Sequence, residues 1–259
     1  MYRNHRLGIV VPAYNEAEII AETLAGMPDI ADRIYVVDDA SDDATRQIAE
    51  NFGDERICVL GNGHNLGVGA AIVAGYKKAL EEGIDIAVVM AGDNQMSAAY
   101  LAGLLDPIIS EKVDYAKGNR ISRPGYAKGM SRWRLFGNRL LSFLTRIASG
   151  YREIGDPQNG YTAVTRDCLL RIDLDRVYPR YGYCNDLLVK LNVAGCRVRD
   201  VPIPARYGSE RSKIKYRKYI TTVSPLLLRG FLWRLWMKYF SGFIRRYGIS
   251  RPSKYTRSA

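Results

Sequence analysis

Apolar residues come in short blocks along the first ninety positions, and each block ends in a polar turn. Leu7 to Val11 is one such run, stopping at Pro12. Ile34 to Val37, Ile57 to Leu60 and Ile86 to Met90 are three more. Short runs without polar alternation suit strands buried on both faces, as in a parallel sheet. The segments between them carry helix signals. Asn15 stands where a helix is capped, and Glu18, three residues on, completes a capping box. Asp38 to Asp43 is an acidic turn that opens a helix running to about Phe52. Carboxylates are favoured at a helix N-terminus, so some of these acids are candidate caps. Gly67 to about Glu82 reads as a helix of small residues. Four strands alternating with three helices predict a doubly wound, mostly parallel α/β sheet flanked by helices.

The second half is less regular. Ser97 to Ser110 reads as a helix, Asp114 to Lys117 as a strand and Arg120 to Met130 as a basic loop. A long helical pattern covers Arg132 to Ala148. Asp156 to Gly160 is a turn by composition, followed by a strand from Tyr161 to Thr165. A helix runs from Tyr181 to about Ala194, a strand from Arg197 to Ile203, and a polar, basic loop from Gly208 to Lys218. There is no internal repeat and no linker rich in Gly, Ser or Pro. The simplest division is one large domain, 1–218, with an extension, 219–259.

That extension has its own pattern. Pro225 to Ile244 is rich in Leu and aromatic residues, but Arg229, Arg234 and Lys238 interrupt it. No uncharged run of about 20 residues is left to span a bilayer. At 100° per residue Arg234, Lys238 and Arg245 share a narrow arc, with Arg229 on the other side. The pattern predicts a basic amphipathic helix lying in a membrane interface, or else a helix packed on the domain or on a partner subunit. Arg245 to Ala259 is polar and basic and reads as disordered.

Charge narrows the choice of partner. The 259 residues are 47% hydrophobic and 25% charged, as a globular chain is, and the net charge is +11. An anionic partner is expected: nucleotide phosphates, nucleic acid or an anionic membrane. No nucleic-acid recognition motif is present. The cysteines, Cys58, Cys168, Cys184 and Cys196, lack CxxC spacing and read as reduced, buried thiols. With only His5 and His64, a zinc site is a poor reading. Met1 to Arg6 holds no apolar signal-peptide region, so a cytoplasmic location is expected.

Chemistry concentrates at the ends of the strands. The run Val88-Val89-Met90 passes directly into Ala91-Gly92-Asp93-Asn94-Gln95-Met96. Ligands of parallel sheets bind beyond the carboxyl ends of strands. Asp93 and Gln95 are two apart, so in an extended segment they lie on one side. Hard oxygen donors so placed suit Mg²⁺ or Mn²⁺ beside a phosphate, although a plain polar turn reads the same way. Asp38 and Asp39 could accept hydrogen bonds from a base or ribose, or cap a helix. Arg120 could neutralise phosphate, or be a solvated surface charge. Gly67 to Ile72 is not a dinucleotide fingerprint, because it follows a loop and lacks the third small residue.

Together these stretches resemble a known family. Val10-Val11-Pro12-Ala13-Tyr14-Asn15-Glu16 looks like the opening signature of family 2 glycosyltransferases of the GT-A fold. Val36-Val37-Asp38-Asp39-Ala40-Ser41-Asp42-Asp43 matches the second, and order and spacing hold up to Asp93. Within the family the chain looks most like the polyprenyl-phosphate glycosyltransferases, the dolichyl-phosphate mannose synthase group. Asp156-Pro157-Gln158-Asn159-Gly160-Tyr161 resembles that group's Asp-Pro-x-x-Gly-aromatic turn. Arg206 with Ser209-Glu210-Arg211-Ser212-Lys213 resembles its basic Ser-Lys motif. The resemblance covers about residues 7 to 218 and makes that span a GT-A catalytic domain.

The resemblance implies roles. Pro12, Tyr14, Glu16 and Asp39 would surround the nucleotide of a GDP- or UDP-sugar. Asp93 and Gln95 would hold Mg²⁺ or Mn²⁺. Arg120, Arg206, Ser212 and Lys213 would meet donor diphosphate or acceptor phosphate. In one departure, Ala91-Gly92-Asp93 stands where the family commonly has Asp-x-Asp, so a metal would lean on Gln95 and on the diphosphate itself. The expected activity is inverting transfer of a sugar to a polyprenyl phosphate at the cytosolic membrane face, by a peripheral protein with room to form a homo-oligomer. A lipid phosphate is already ionised and needs no base. A saccharide hydroxyl would need one, and Asp186 is the candidate. A non-catalytic binding protein with a degenerate site is the third reading.

Overall fold

The four apolar blocks of the first half become adjacent strands. The computed structural model describes residues 1–123, 125–126, 132–205 and 216–239. Within them β1 (Leu7–Ala13), β2 (Arg33–Asp38), β3 (Ile57–Gly61) and β4 (Ile86–Val89) pair in parallel. Pro12 does not stop β1: it pairs with Val37, and the strand continues to Ala13. The pairing with β4 ends at Val10, so the missing N–H of Pro12 breaks no ladder on that side.

Three further strands, β5 (Tyr115–Asn119), β6 (Thr162–Thr165) and β7 (Val198–Pro202), complete the order β3-β2-β1-β4-β6-β5-β7. β7 runs parallel to β5, but β6 runs antiparallel to both of its neighbours. The reversal has a local result. The turn before β6, Asp156 to Gly160, falls at the same edge as the turn after β4.

Alternation along the strands builds two layers. Val10, Tyr35, Val37 and Val89 face a core closed by α3 (Val68–Glu81), α6 (Arg166–Arg171) and α7 (Tyr183–Val193). Ile9, Val11, Ile34, Val36 and Val88 face the other, closed by α1 (Ile20–Ala25), α2 (Thr45–Glu50) and α4 (Leu101–Ser110). Each buried aliphatic side chain contributes about 1.5–3 kcal/mol, which is what holds the helices on the sheet. Gly75 lets α3 lie close to β1, since a Cβ there would collide with Val10.

Two helix starts differ from the sequence expectation. α1 begins at Ile20 without a side-chain cap. Asn15 instead adopts a left-handed conformation, φ 54°, and its Oδ1 accepts from Asp42 N. α2 begins only at Thr45, and the acidic turn before it is loop.

Two long helices flank the second half: α5 (Arg132–Ser149) and α8 (Tyr216–Tyr239). α8 starts inside the stretch expected to be a basic loop, and Val223 and Leu227 bury it against Ala148 of α5 and Val189 of α7. Arg234 does not belong to a solvent-facing basic arc. Its Nε and Nη2 donate to the carbonyls of Ala148 and Ile147 at 2.8 and 3.0 Å, closing the C-terminus of α5. Arg245 lies outside the described residues. Among those described, no helix is long and apolar enough to cross a membrane, and the four cysteines are free thiols.

Candidate active site

Two turns of the first half are stitched together by their own side chains. Asn15 N donates to Ser41 Oγ at 2.9 Å, Glu16 N to Thr45 Oγ1 at 2.8 Å and Ala17 N to Asp43 Oδ2 at 3.1 Å. Asp43 also accepts from Thr45 N at 2.9 Å. Partial burial would raise its pKa, but these hydrogen bonds outweigh that and hold its carboxyl below the usual range. Asp38 receives Ser41 N on both oxygens at 3.3 Å and is spent on the turn.

Asp39 is buried and organises the next loop. Its Oδ1 accepts from Asn62 Nδ2 at 2.7 Å and Leu66 N at 2.9 Å, and its Oδ2 from Gly67 N at 2.7 Å. The carboxylate therefore sits at the start of α3, where the helix dipole favours negative charge. Gly67 has φ 105°, and a Cβ there would meet Pro179 O at 2.7 Å, so glycine is required.

The turn after β4 is small and tightly closed. Asp93 Oδ1 accepts from Gln95 N at 3.2 Å, Ala91 N donates to Met96 Sδ at 3.3 Å, and Gly92 O accepts from Thr23 Oγ1 at 2.9 Å. Asn94, φ 54°, turns its amide outward to Glu22 Oε1.

At the end of β5 the charges are internal. Asp156 is wholly buried and holds Arg120 bidentately, Nε to Oδ2 at 2.7 Å and Nη2 to Oδ1 at 3.1 Å. Burial alone would raise this carboxyl. The Arg120 charge and hydrogen bonds, with Lys117 behind them, overcome burial and hold it below the carboxylate range. Lys117 is itself fully buried in β5, its Nζ donating to Asn159 O. Asp200 closes the group. Its Oδ2 accepts from Gly155 N at 2.6 Å and Asn119 Nδ2 at 2.7 Å, while Oδ1 is buried without a partner. Burial therefore wins at Asp200 and raises its pKa. The two-point grip of Asp156 fixes the plane of the guanidinium, and Arg120 lines the cavity.

One cavity of about 780 Å³ collects these parts. Pro12, Tyr14, Glu16, Asp39, Asp93, Gln95 and Arg120, read separately from the sequence, all line it. Asn65, Gln158 and Arg180 line it too and were not among the expected residues. The last of these stands in a stretch of mixed charge, between Pro179 and Gly182, that matches no motif. Asp186 is placed elsewhere. Its Oδ2 accepts from Tyr178 N at 2.8 Å and Lys190 Nζ at 2.6 Å, and it is not part of the lining. One residue earlier, Asn185 is fully buried and linked to the lining residue Gln158 at 3.2 Å and to Thr145 Oγ1 at 2.6 Å. A helix turns 100° per residue, so these neighbours serve different sides. Arg206, Ser212 and Lys213 lie outside the described residues.

The donor set limits what metal the site could take. No group of three or more His, Cys, Asp or Glu suited to a metal occurs among the described residues. One carboxylate and one amide, both on the cavity wall, do not make a protein-only cage. They do fit Mg²⁺ shared with substrate phosphates, which commonly uses one or two carboxylates.

Comparison with known proteins agrees with this layout. The family model for glycosyl transferase family 2 matches residues 8–172. The chain is 30% identical over 214 residues to a UDP-N-acetylglucosamine–dolichyl-phosphate N-acetylglucosaminyltransferase of Methanococcus voltae, covering 77% of this chain and 85% of that one. It is 31% identical over 204 residues to the polyprenol monophosphomannose synthase of Mycolicibacterium smegmatis, covering 75% of each. In fold it resembles the glucosyl-3-phosphoglycerate synthase of Mycobacterium tuberculosis, solved with Mn²⁺, UDP-glucose and phosphoglyceric acid. The TM-score is 0.63 at 19% identity, over 89% of this chain and 80% of the other. Strand order, the joined turns and the family match lead to one assignment: the chain belongs to glycosyl transferase family 2 and has the GT-A fold.

Proposed function

We propose that this protein transfers a sugar from a nucleotide diphosphate donor to a polyprenyl phosphate at a membrane surface, with inversion at the anomeric carbon. The observation that carries the reading is the convergence of seven motif residues from β1, β2, β4 and β5 on one cavity. The activities of the relatives, on dolichyl phosphate and polyprenol, support the acceptor.

Each residue has a physical task. Pro12, Tyr14, Glu16 and Asp39 enclose the nucleoside. Asp39 does so partly by holding the loop from Asn62 to Gly67 in place. Negative charge grows on the diphosphate as the glycosidic bond breaks. Arg120, aimed by Asp156, stabilises that charge where it develops. Asp93 and Gln95 would hold a Mg²⁺ or Mn²⁺ ion, which when bound neutralises diphosphate charge. A phosphate acceptor is an anion near neutral pH and attacks without a base, in keeping with Asp186 lying away from the cavity lining.

A donor screen with detergent-solubilised polyprenyl phosphates, with and without Mg²⁺ or Mn²⁺, tests the reading. Lipid-linked sugar with one donor is the expected result. Transfer only to saccharide hydroxyls, or no transfer from any donor, would overturn it.

A further inference from the structure

A chain of hydrogen bonds runs from the backbone of α5 to the cavity wall. Thr145 Oγ1 lies 2.7 Å from Leu141 O, Asn185 Nδ2 2.6 Å from Thr145 Oγ1, and Gln158 Nε2 3.2 Å from Asn185 Oδ1. Thr145 and Asn185 are fully buried and lie behind the wall, whereas Gln158 is half-buried and lines the cavity. Chemistry gives this chain a direction. A carbonyl oxygen accepts and never donates, so the hydroxyl hydrogen of Thr145 goes to Leu141 O. Thr145 Oγ1 then offers lone pairs, and Asn185 turns its NH₂ group to them. That sets Asn185 Oδ1 on the side of Gln158, where it needs a donor, and Gln158 answers with Nε2. The other branch of the Gln158 amide, Oε1, is thereby turned to the cavity side.

An acceptor oxygen selects its partner. It repels phosphate oxygens, which are acceptors too, and suits a hydroxyl. Position decides which part of a nucleotide sugar meets it. The order β2-β1-β4-β6 sets the turn after β2, with Asp39, and the turn before β6, with Gln158, three strand spacings apart, about 14 Å. The turn after β4, with Asp93, lies between them. It adjoins the Gln158 turn: Tyr161 OH donates to Ser97 O at 3.1 Å, and a Cβ on Gly160 would meet Met96 Cε at 3.2 Å. A donor with its nucleoside by Asp39 and its diphosphate by Asp93 brings its sugar to Gln158.

We propose that Gln158 is a sugar-specificity residue: its Oε1 accepts a hydrogen bond from one hydroxyl of the transferred hexose, and Asn185 and Thr145 are positioning residues that hold the amide that way round. The inference rests on the transfer reading given above and adds the group that tells one hexose from its epimer. Inverting the carbon that bears this hydroxyl moves the donor away and leaves Oε1 unpaired. A site built to hydrogen-bond a hydroxyl rejects an analogue lacking it far better than an apolar pocket does.

The test is calorimetric titration of the full chain, with Mn²⁺ present, by GDP- and UDP-hexoses, their deoxy analogues, and bare GDP and UDP. For the hexose that the intact protein binds, loss of one hydroxyl should weaken binding about tenfold. In Gln158→Leu that hydroxyl should no longer matter: the hexose and its deoxy analogue should bind alike, and bare GDP or UDP as tightly as in the wild type. Thr145→Val should lower the discrimination between epimers by several fold, and Thr145→Ser, which keeps the hydroxyl, should restore it. A purely structural role would not follow the hydroxyl in this way. Thermal melting checks the fold, and the two Thr145 variants give an answer even where Gln158→Leu does not fold. A full deoxy penalty persisting in Gln158→Leu would overturn the proposal, as would unaltered discrimination in Thr145→Val. So would an equal loss of bare nucleotide affinity in Gln158→Leu, since the oxygen would then serve the metal or the diphosphate. Binding of no nucleotide hexose by the intact chain would instead bring down the transfer reading, and this inference with it.

Discussion

The two halves of the cavity use acids in opposite ways. On the β1–β3 side, carboxylates hold backbone amides: Asp43 binds Ala17 and Thr45, and Asp39 binds Leu66 and Gly67. On the β5–β7 side the wholly buried Asp156 holds a cation, the guanidinium of Arg120. The first arrangement shapes loops on the cavity wall without supplying positive charge. The second fixes a charged group on the cavity wall. Fixing a loop and aiming a charge fail differently when the acid is changed, and that difference can be measured.

The largest effect is expected at the junction of the halves. Asp93→Asn keeps the shape of the turn and removes the carboxylate, so turnover should fall by about 10²-fold or more. Calorimetry with Mn²⁺ and the nucleotide diphosphate should show the paired loss of metal binding. Near-wild-type turnover would remove Asp93 from the chemistry.

Asp156→Asn comes next. Leaving Arg120 and Lys117 without their buried partner should cost about 3–5 kcal/mol of stability, read by urea denaturation. The pH dependence has a definite sign. Asp156 titrates lower in the folded protein than the unfolded value of about 3.9, so its stabilisation is complete above that pH. It is lost as pH falls through the lower, folded value. Asp200 is shifted the other way, so its contribution is present at low pH and lost as pH rises through its folded value. Asp200→Asn should therefore change stability at neutral pH by less than about 1 kcal/mol, because an amide still accepts from Gly155 and Asn119. Equal losses in the two variants would erase the distinction between aiming and mere burial.

Asp39→Asn should act on binding. An amide has one acceptor oxygen, so the bond to Gly67 N or the pair to Asn62 and Leu66 must go, at about 1.5–3 kcal/mol for a charged hydrogen bond. Nucleotide affinity should fall about tenfold or more, with kcat little changed, in a titration that follows KM and kcat separately. Asp186→Asn is the smallest, with a loss of a few fold. A collapse by about 10² to 10⁴ would mark a general base and move the acceptor to a hydroxyl.

Much of the first half was legible because β1, β2 and β4 are buried on both faces and their sequences show it as unbroken apolar runs. The motif turns were legible as chemistry because they follow those runs directly. The second half hid more. Lys117 reads as the polar end of a strand, yet it is fully buried, since Asn159 O and the nearby Asp156 and Asp200 compensate it. Helix α7 was legible, but which of its side chains serves the cavity was not: Asn185 is linked to the lining residue Gln158, while Asp186 bonds Tyr178 N. Arg234 looked like solvated charge because its partners are carbonyls far away in the sequence. Side chains that answer to distant backbone leave no local pattern.

The reversed strand β6 sets an order of assembly. β1 and β2 pair across a short crossover, Gly8 with Arg33, whereas β6 must bring Thr162 back to Val89. Closing the longer loop costs about 1 kcal/mol more in chain entropy. The β1–β4 unit is thus expected to condense first and present the bare edge of β4 as a template. The cavity then comes into being only at the last pairing, so a chain stalled before β6 docks would hold the joined turns of β1 and β2 without the opposite wall from Gln158 to Tyr161. Pulse-labelled hydrogen exchange during refolding would show protection at Ile9 and Val36 ahead of Ala163.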